Sequence, residues 1–158
     1  MNIKALYIKL IFAALIIVWY AGIYYKIFFP DDSSNVFPGI LLDRLYSLVC
    51  HQENAKSFFV AGQKLEVCAR CTGIYTGGLI FSIAALLIPA LKPRSAKGLI
   101  LAIFPMAADV LLYSIGIYDY SIWVAFTTGL ILGSAAILYI FTGIEDYILE
   151  LNLSPNVQ

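Results

Sequence analysis

Four apolar stretches, each long enough to cross a bilayer, constrain this chain more than any other feature. A hydrocarbon core of roughly 30 Å takes about 20 helical residues. The stretches run from about Leu6 to Phe29, Cys71 to Leu91, Gly98 to Tyr118 and Ile122 to Ile144. The last precedes an acidic end with Glu145, Asp146 and Glu150. Lipid offers no partner to backbone polar groups, so each stretch must be helical. Barrel strands would alternate apolar and polar residues, which these do not. With 61% apolar and 13% charged residues, a soluble fold of this length would expose more hydrocarbon than it buries. The expectation is an all-α integral membrane protein of about four transmembrane helices, one domain over residues 1–158, with the lipid bilayer as its principal partner. Ten basic and ten acidic residues balance, so nothing points to nucleic acid.

The first stretch is interrupted only by Lys9 and Lys26, which are expected to snorkel from its ends. It is too long for a signal peptide, and no small-x-small cleavage site follows it, so it reads as a retained helix. Gly73-x-x-x-Gly77 and Gly129-x-x-x-Gly133 place small-residue stripes on the second and fourth helices. They are read as packing within one bundle rather than a dimer seam. Trp19, Tyr20, Tyr24, Tyr25 and Trp123 read as interfacial aromatics.

Residues 30–70 form a polar segment between helices one and two. Asp31-Asp32-Ser33-Ser34-Asn35 reads as a loop with a helix cap. From Phe37 to Cys50, Leu41, Leu45 and Leu48 recur at helical spacing opposite Asp43, Arg44 and Ser47. That pattern predicts a short amphipathic helix at the interface. Ser57-Phe-Phe-Val and Lys64-Leu-Glu-Val flank Ala61-Gly62-Gln63, which predicts a small hairpin delivering Cys68 to the start of helix two. The loop from Lys92 to Lys97 carries three basic residues and no acid, and Lys4 and Lys9 lie at the N-terminus. The positive-inside tendency puts both in the cytoplasm. This expectation gives a multi-pass cell-membrane protein with cytoplasmic termini and an extracytoplasmic cysteine segment.

All three cysteines and the sole histidine fall within residues 50–71: Cys50, His51, Cys68 and Cys71. They match the Cys3His ligand set of tetrahedral zinc, and Cys-x-x-Cys is a chelating spacing. Adjacent side chains such as those of Cys50 and His51 diverge unless the backbone turns sharply, so three ligands plus water is an alternative. Zinc is the leading cofactor, and whether its use is catalytic or in transport stays open. The same atoms suit a membrane thiol–disulfide oxidoreductase with Cys68 and Cys71 as the redox pair. A third reading is a small accessory subunit of a membrane complex, or a homo-oligomer, with the cluster as a staple. The third helix adds Asp109, costly in a bilayer and usually turned inward. It is a candidate catalytic or proton-handling acid, a supporting partner to the cysteine cluster, or a protonated acid satisfied inside the bundle; it stands four residues beyond Pro105, with Tyr113 one turn on as an expected hydrogen-bond partner.

The Cys50-His51-Gln52 triplet, the Phe58 to Gly62 segment and Cys68-Ala69-Arg70-Cys71-Thr72-Gly73-Ile74-Tyr75 resemble an uncharacterised family of small prokaryotic membrane proteins with a CHQ…CxRCxGxY signature. In that family a helix with an intramembrane Pro and Asp follows, to which Pro105 and Asp109 are similar. The resemblance covers roughly Leu42 to Gly133 and departs after Asp109, where Val110 replaces a common glycine. It implies that the Cys-His-Gln, Cys-x-Arg-Cys and Asp positions form one site. Gln52, Arg70 and Tyr75 would then support the metal ligands or orient a substrate.

Overall fold

A computed structural model describes residues 3–29, 36–93 and 95–153, without the side chains of residues 36 and 151–153. The loop expected at residues 31–35 lies outside these. Six α-helices and one hairpin follow in order: α1 (Ile3–Ile23), α2 (Tyr25–Phe28), α3 (Val36–Ser47), β1 (Ser57–Val60), β2 (Gln63–Cys68), α4 (Ala69–Leu87), α5 (Lys97–Ser114) and α6 (Ile122–Leu153). A single 3₁₀ turn, Asn54–Lys56, leads into β1. Among the described residues α1, α4, α5 and α6 are long and apolar enough to span a membrane.

The span boundaries differ from the sequence reading for local reasons. α1 stops at Ile23 and restarts as the short α2, because Lys26 turns to Asp43 and Glu66 instead of toward lipid. α4 stops at Leu87, with its C-cap Ile88 at φ −122° and ψ 85°, outside helical geometry, before Pro89, since a residue preceding proline is pushed away from the helical region. α5 ends at Ser114 because Gly116, at φ 73°, takes the left-handed position. The Gly116 and Ile117 N–H groups donate back to Tyr113 and Leu112 O, the pairing of a Schellman cap. α6 runs past the expected end and carries Glu145 within the helix.

At the centre α4 and α6 interlock through their glycines. A Cβ on Gly73 would come within 2.1 Å of Phe126 O, and one on Gly133 within 2.0 Å of Ile74 O. Backbone meets backbone there, so only glycine fits. α1 packs on α4 and, more lightly, α6, while α5 packs mainly on α6.

Neither lysine of the first stretch snorkels. Lys9 is only 4% exposed; it pairs with Glu145 of α6, and Lys92 of the α4–α5 loop meets the same carboxylate. A carboxylate on a neighbouring element satisfies the ammonium inside the protein, so it has no need of water. This cluster also gathers the start of α1, the α4–α5 loop and the later part of α6 at one end of the bundle.

The other end is closed by α3 and the hairpin. β1 and β2 pair antiparallel, Val60 with Gln63 and Phe59 with Lys64, around Ala61 and Gly62 at φ 51° and 79°. Two central residues with positive φ match the twist of a tight hairpin. A bulge between Ser57 and Phe59 shifts the register so that Cys68 faces Ser57. α3 buries Tyr46 against α1 and leaves Leu41 and Leu45 exposed, with Leu48 exposed just past its end. The apolar stripe read from the sequence is therefore the outward face, the one a helix resting on lipid presents.

Candidate metal centre

The three cysteines arrive from two separated segments. Cys50 leaves the end of α3, its N–H donating to Tyr46 O at 2.9 Å. Tyr46 is itself buried, and its hydroxyl donates to Trp19 O of α1 at 2.5 Å. One buried tyrosine thus ties the Cys50 turn to the end of the first span. Cys68 ends β2 and is the extended N-cap of α4, with φ −67° and ψ 163°. Cys71 lies in the first turn of α4.

The Cys68 N–H donates to Cys50 Sγ at 3.1 Å, and the three Sγ atoms lie within 4.8 Å of one another. All three are free thiols. Sulfurs at about 2.3 Å from a tetrahedral zinc are separated by roughly 3.8 Å, so small rotamer changes would close the group on one ion. Hydrogen bonds from Cys68 and Cys71, then the Cys68 and Gln52 backbone N–H groups, outweigh burial and hold the Cys50 thiol well below its ordinary range. The hydrogen bond with Cys50 pushes the Cys68 thiol up. One sulfur is favoured as thiolate at its neighbour's expense, as expected of like charges crowded without a cation.

His51 is exposed and does not belong to this three-sulfur group. Gln52 adopts φ 50°; its side-chain amide donates to Glu66 O at 2.9 Å and Asp43 O at 3.3 Å. Lys64 Nζ donates to Gln52 O at 3.0 Å. Gln52 therefore clamps the Cys50 turn onto β2 and α3. Arg70, between Cys68 and Cys71, donates from Nη2 to Asp109 Oδ2 at 2.5 Å, and Asp109 is 4% exposed. The α5 acid thus reaches the Cys-x-Arg-Cys segment. Its tyrosine partner is Tyr118, whose hydroxyl donates to Asp109 Oδ1. Tyr113, the expected partner, meets Tyr120 edge to face at 5.5 Å between ring centroids instead, because the Gly116 turn brings Tyr118 back over the end of α5. Tyr75, one turn past Cys71, packs with Trp19 and the buried cluster of Ile23, Tyr46 and Cys50.

Several residues here had no sequence signal. Tyr118, read from the sequence as the end of the third stretch, and Tyr120 lie in the short linker between α5 and α6. Burial raises the Tyr120 phenol to about 12, followed by the charge of Cys68. Lys56 Nζ lies 5.0 Å from the Tyr113 ring centroid and 5.7 Å from that of Tyr120, a cation–π arrangement. Glu66 is fully buried beneath the hairpin, 3.2 Å from Lys26 Nζ. Burial, with a hydrogen bond to Asp43, raises its carboxyl to about 7 despite Lys26. The alternating pattern of β2 gave no hint of an inward acid.

Comparison with known proteins agrees with a membrane origin. A family model described as "Predicted membrane protein (DUF2085)" matches residues 50–139, a span that holds every residue of the cluster and Asp109. An uncharacterized protein of Methanocaldococcus jannaschii is 38% identical over 131 residues, covering 78% of this chain and 84% of that relative. An uncharacterized protein of Methanothermobacter thermautotrophicus is 32% identical over 87 residues, 54% of this chain and 78% of the relative. No solved structure matches.

Proposed function

The chain belongs to this family of predicted membrane proteins (DUF2085), and we propose that it binds one transition-metal ion, zinc foremost, through the thiolates of Cys50, Cys68 and Cys71. The observation that carries the reading is the convergence of three free sulfurs from two chain segments onto one point. Soft thiolates select zinc or copper(I) over magnesium or calcium. A divalent cation would relieve the mutual repulsion that otherwise confines ionisation to one thiol. His51 supplies a fourth ligand if the Cys50–Gln52 turn folds inward; otherwise that position is open to water or substrate, as catalytic zinc requires. Arg70, between Cys68 and Cys71, then lies beside the centre and holds Asp109 close to it as a fixed ion-pair partner. In this proposal the cysteine end faces the outside of the cell and the Lys9–Lys92 end faces the cytoplasm.

Elemental mass spectrometry of the detergent-purified protein tests the reading. It predicts about one zinc per chain, lost in Cys68→Ser and reduced in His51→Ala if His51 is the fourth ligand. A second reading, thiol–disulfide exchange at Cys68 and Cys71, draws on the hydrogen-bonded thiols and the depressed Cys50. Metal-free protein whose thiols pair reversibly under mild oxidant would favour it over zinc.

A further inference from the structure

α3 carries a cation in the middle of an exposed apolar face. Phe37, Ile40, Leu41 and Leu45 are exposed along it, and Leu48 follows just past its end. Arg44, read from the sequence as opposite the leucines, stands three residues after Leu41 and four before Leu48, the spacing of helical neighbours. It is exposed with them. Its guanidinium forms no ion pair among the described residues. Only its carbonyl is engaged, by the Ser47 hydroxyl.

The opposite side of α3 is locked. Tyr46 is buried and donates to Trp19 O, Leu42 Cδ2 would lie 3.5 Å from a Cβ on Gly22, and Asp43 pairs with Lys26. These contacts run along the flank of α1 and α2 from Trp19 to Lys26, so α3 lies beside the end of the first span and not across it. Its outer face looks away from the bundle, at the depth where a span leaves hydrocarbon for head groups. Apolar side chains around one arginine suit that depth. The leucines reach acyl chains, and the long side chain carries its charge to the phosphates.

We infer that the outer face of α3 is a phospholipid site, with Arg44 paired to the lipid phosphate and Leu41, Leu45 and Leu48 against the acyl chains. The planar fork of guanidinium donors matches phosphate oxygens. A second copy of the chain fits this face poorly, because a two-fold seam along it would set Arg44 against Arg44. Cys50 follows α3, its N–H on Tyr46 O, so a lipid seated there steadies one of the three sulfurs. That consequence rests on the metal reading. The lipid site does not.

Site-directed photocapture tests the site, with the photoreactive residue benzoylphenylalanine in place of exposed Leu45. The protein is reconstituted in vesicles of equal parts phosphatidylglycerol and digalactosyl diacylglycerol, which has no phosphate, and its adducts are weighed by mass spectrometry. The same residue in place of Phe104, 71% exposed on α5, reports the bulk lipid ratio. Capture of phosphatidylglycerol from Leu45 should exceed that ratio several-fold, and Arg44→Gln should bring it back to bulk. Leu48, 81% exposed, is the second position should the Leu45 variant fail to insert. Cross-linked pairs of chains, no lipid adducts, or a phosphatidylglycerol preference absent or unchanged by Arg44→Gln overturns the proposal. Zinc is measured on the same preparations. Zinc-free protein that keeps the preference condemns the metal reading alone, and zinc-loaded protein that lacks it condemns the lipid site alone.

Discussion

The two ends of the bundle both bury ionisable groups, and they do so by opposite means. At the end holding the start of α1, Lys9 and Lys92 meet on Glu145, and unlike charges satisfy one another; Phe141 adds its ring beneath Lys9 at 5.3 Å. At the other end three thiols crowd together, and the guanidinium beside them is already engaged by Asp109. The first arrangement is complete as it stands and does the work of a staple. The second is incomplete as a structural device, because like groups repel as they ionise and only an added cation lets all three do so. Burial of charge alone therefore does not mark a site. Groups of one kind gathered from distant segments with no counter-charge among them, as at the three thiols, are what the proposed centre rests on.

The largest expected effect separates the ends outright. Cys68→Ser should remove the bound metal entirely, while Glu145→Gln should leave metal content unchanged, both read by elemental analysis of purified protein. Metal loss in the Glu145 variant would mean that the far end governs the centre and would erase the distinction. Next in size are the ion pairs themselves. Removing one member of a buried pair leaves its partner uncompensated at a cost of about 3–5 kcal/mol, so Asp109→Ala and Glu145→Ala should both lower the thermal midpoint in detergent sharply. Only Asp109→Ala should also speed metal loss to a chelator, because its partner Arg70 lies between two of the proposed ligands. Equal chelator resistance in the two variants would demote Asp109 to a second staple.

The sequence made some of this legible and concealed the rest for identifiable reasons. Four spans, the hairpin and the glycine stripes followed from periodicity and backbone chemistry, which are local or nearly so. The cysteine spacing and Asp109 announced themselves by being costly in their surroundings. Pairings across the bundle did not. Lys9 looks like a snorkelling lysine until Glu145, on a helix that outlasts its apolar stretch, comes within reach. Tyr118 looks like the last residue of the third span until the left-handed Gly116 folds it back onto Asp109. Glu66 occupies an ordinary strand position until the hairpin presses it against α3. Cys50 and His51, neighbours in sequence, part company in the fold because the Cys50 side chain is drawn inward by Tyr46 and β2 while the next residue faces out.

A smaller effect tests the frame that holds the two ends apart. Gly133→Ala places a methyl group 2.0 Å from Ile74 O, where neither backbone can yield, and should destabilise the fold by about 1–3 kcal/mol as overpacking does. Gly143 on the same helix has nothing within 4 Å of an added Cβ. Gly143→Ala should be neutral or stabilise by up to about 1 kcal/mol through helix propensity. Thermal midpoints of the pair check this, and a neutral Gly133→Ala would mean that α4 and α6 are not locked together.

The smallest effect concerns pH and is confined to the cysteine end. Glu66 has a folded-state value of about 7 against an ordinary 4.5, so between those values the folded hairpin holds a proton that the unfolded chain has released. The group's contribution is complete below its unfolded value and is lost as pH rises through about 7. Asp43 runs the other way. Hydrogen bonds with Glu66 and Lys26 outweigh burial and lower its carboxyl below the ordinary 3.8, so its contribution is lost as pH falls through that lowered value. The protection factors of the amides of residues 65–67, taken as the intrinsic exchange rate at each pH divided by the observed one, should accordingly rise on acidification from pH 8 to pH 5, and Glu66→Gln should flatten the response. Protection that rises equally in the variant would assign the pH dependence to another group and leave Glu66 a merely buried acid.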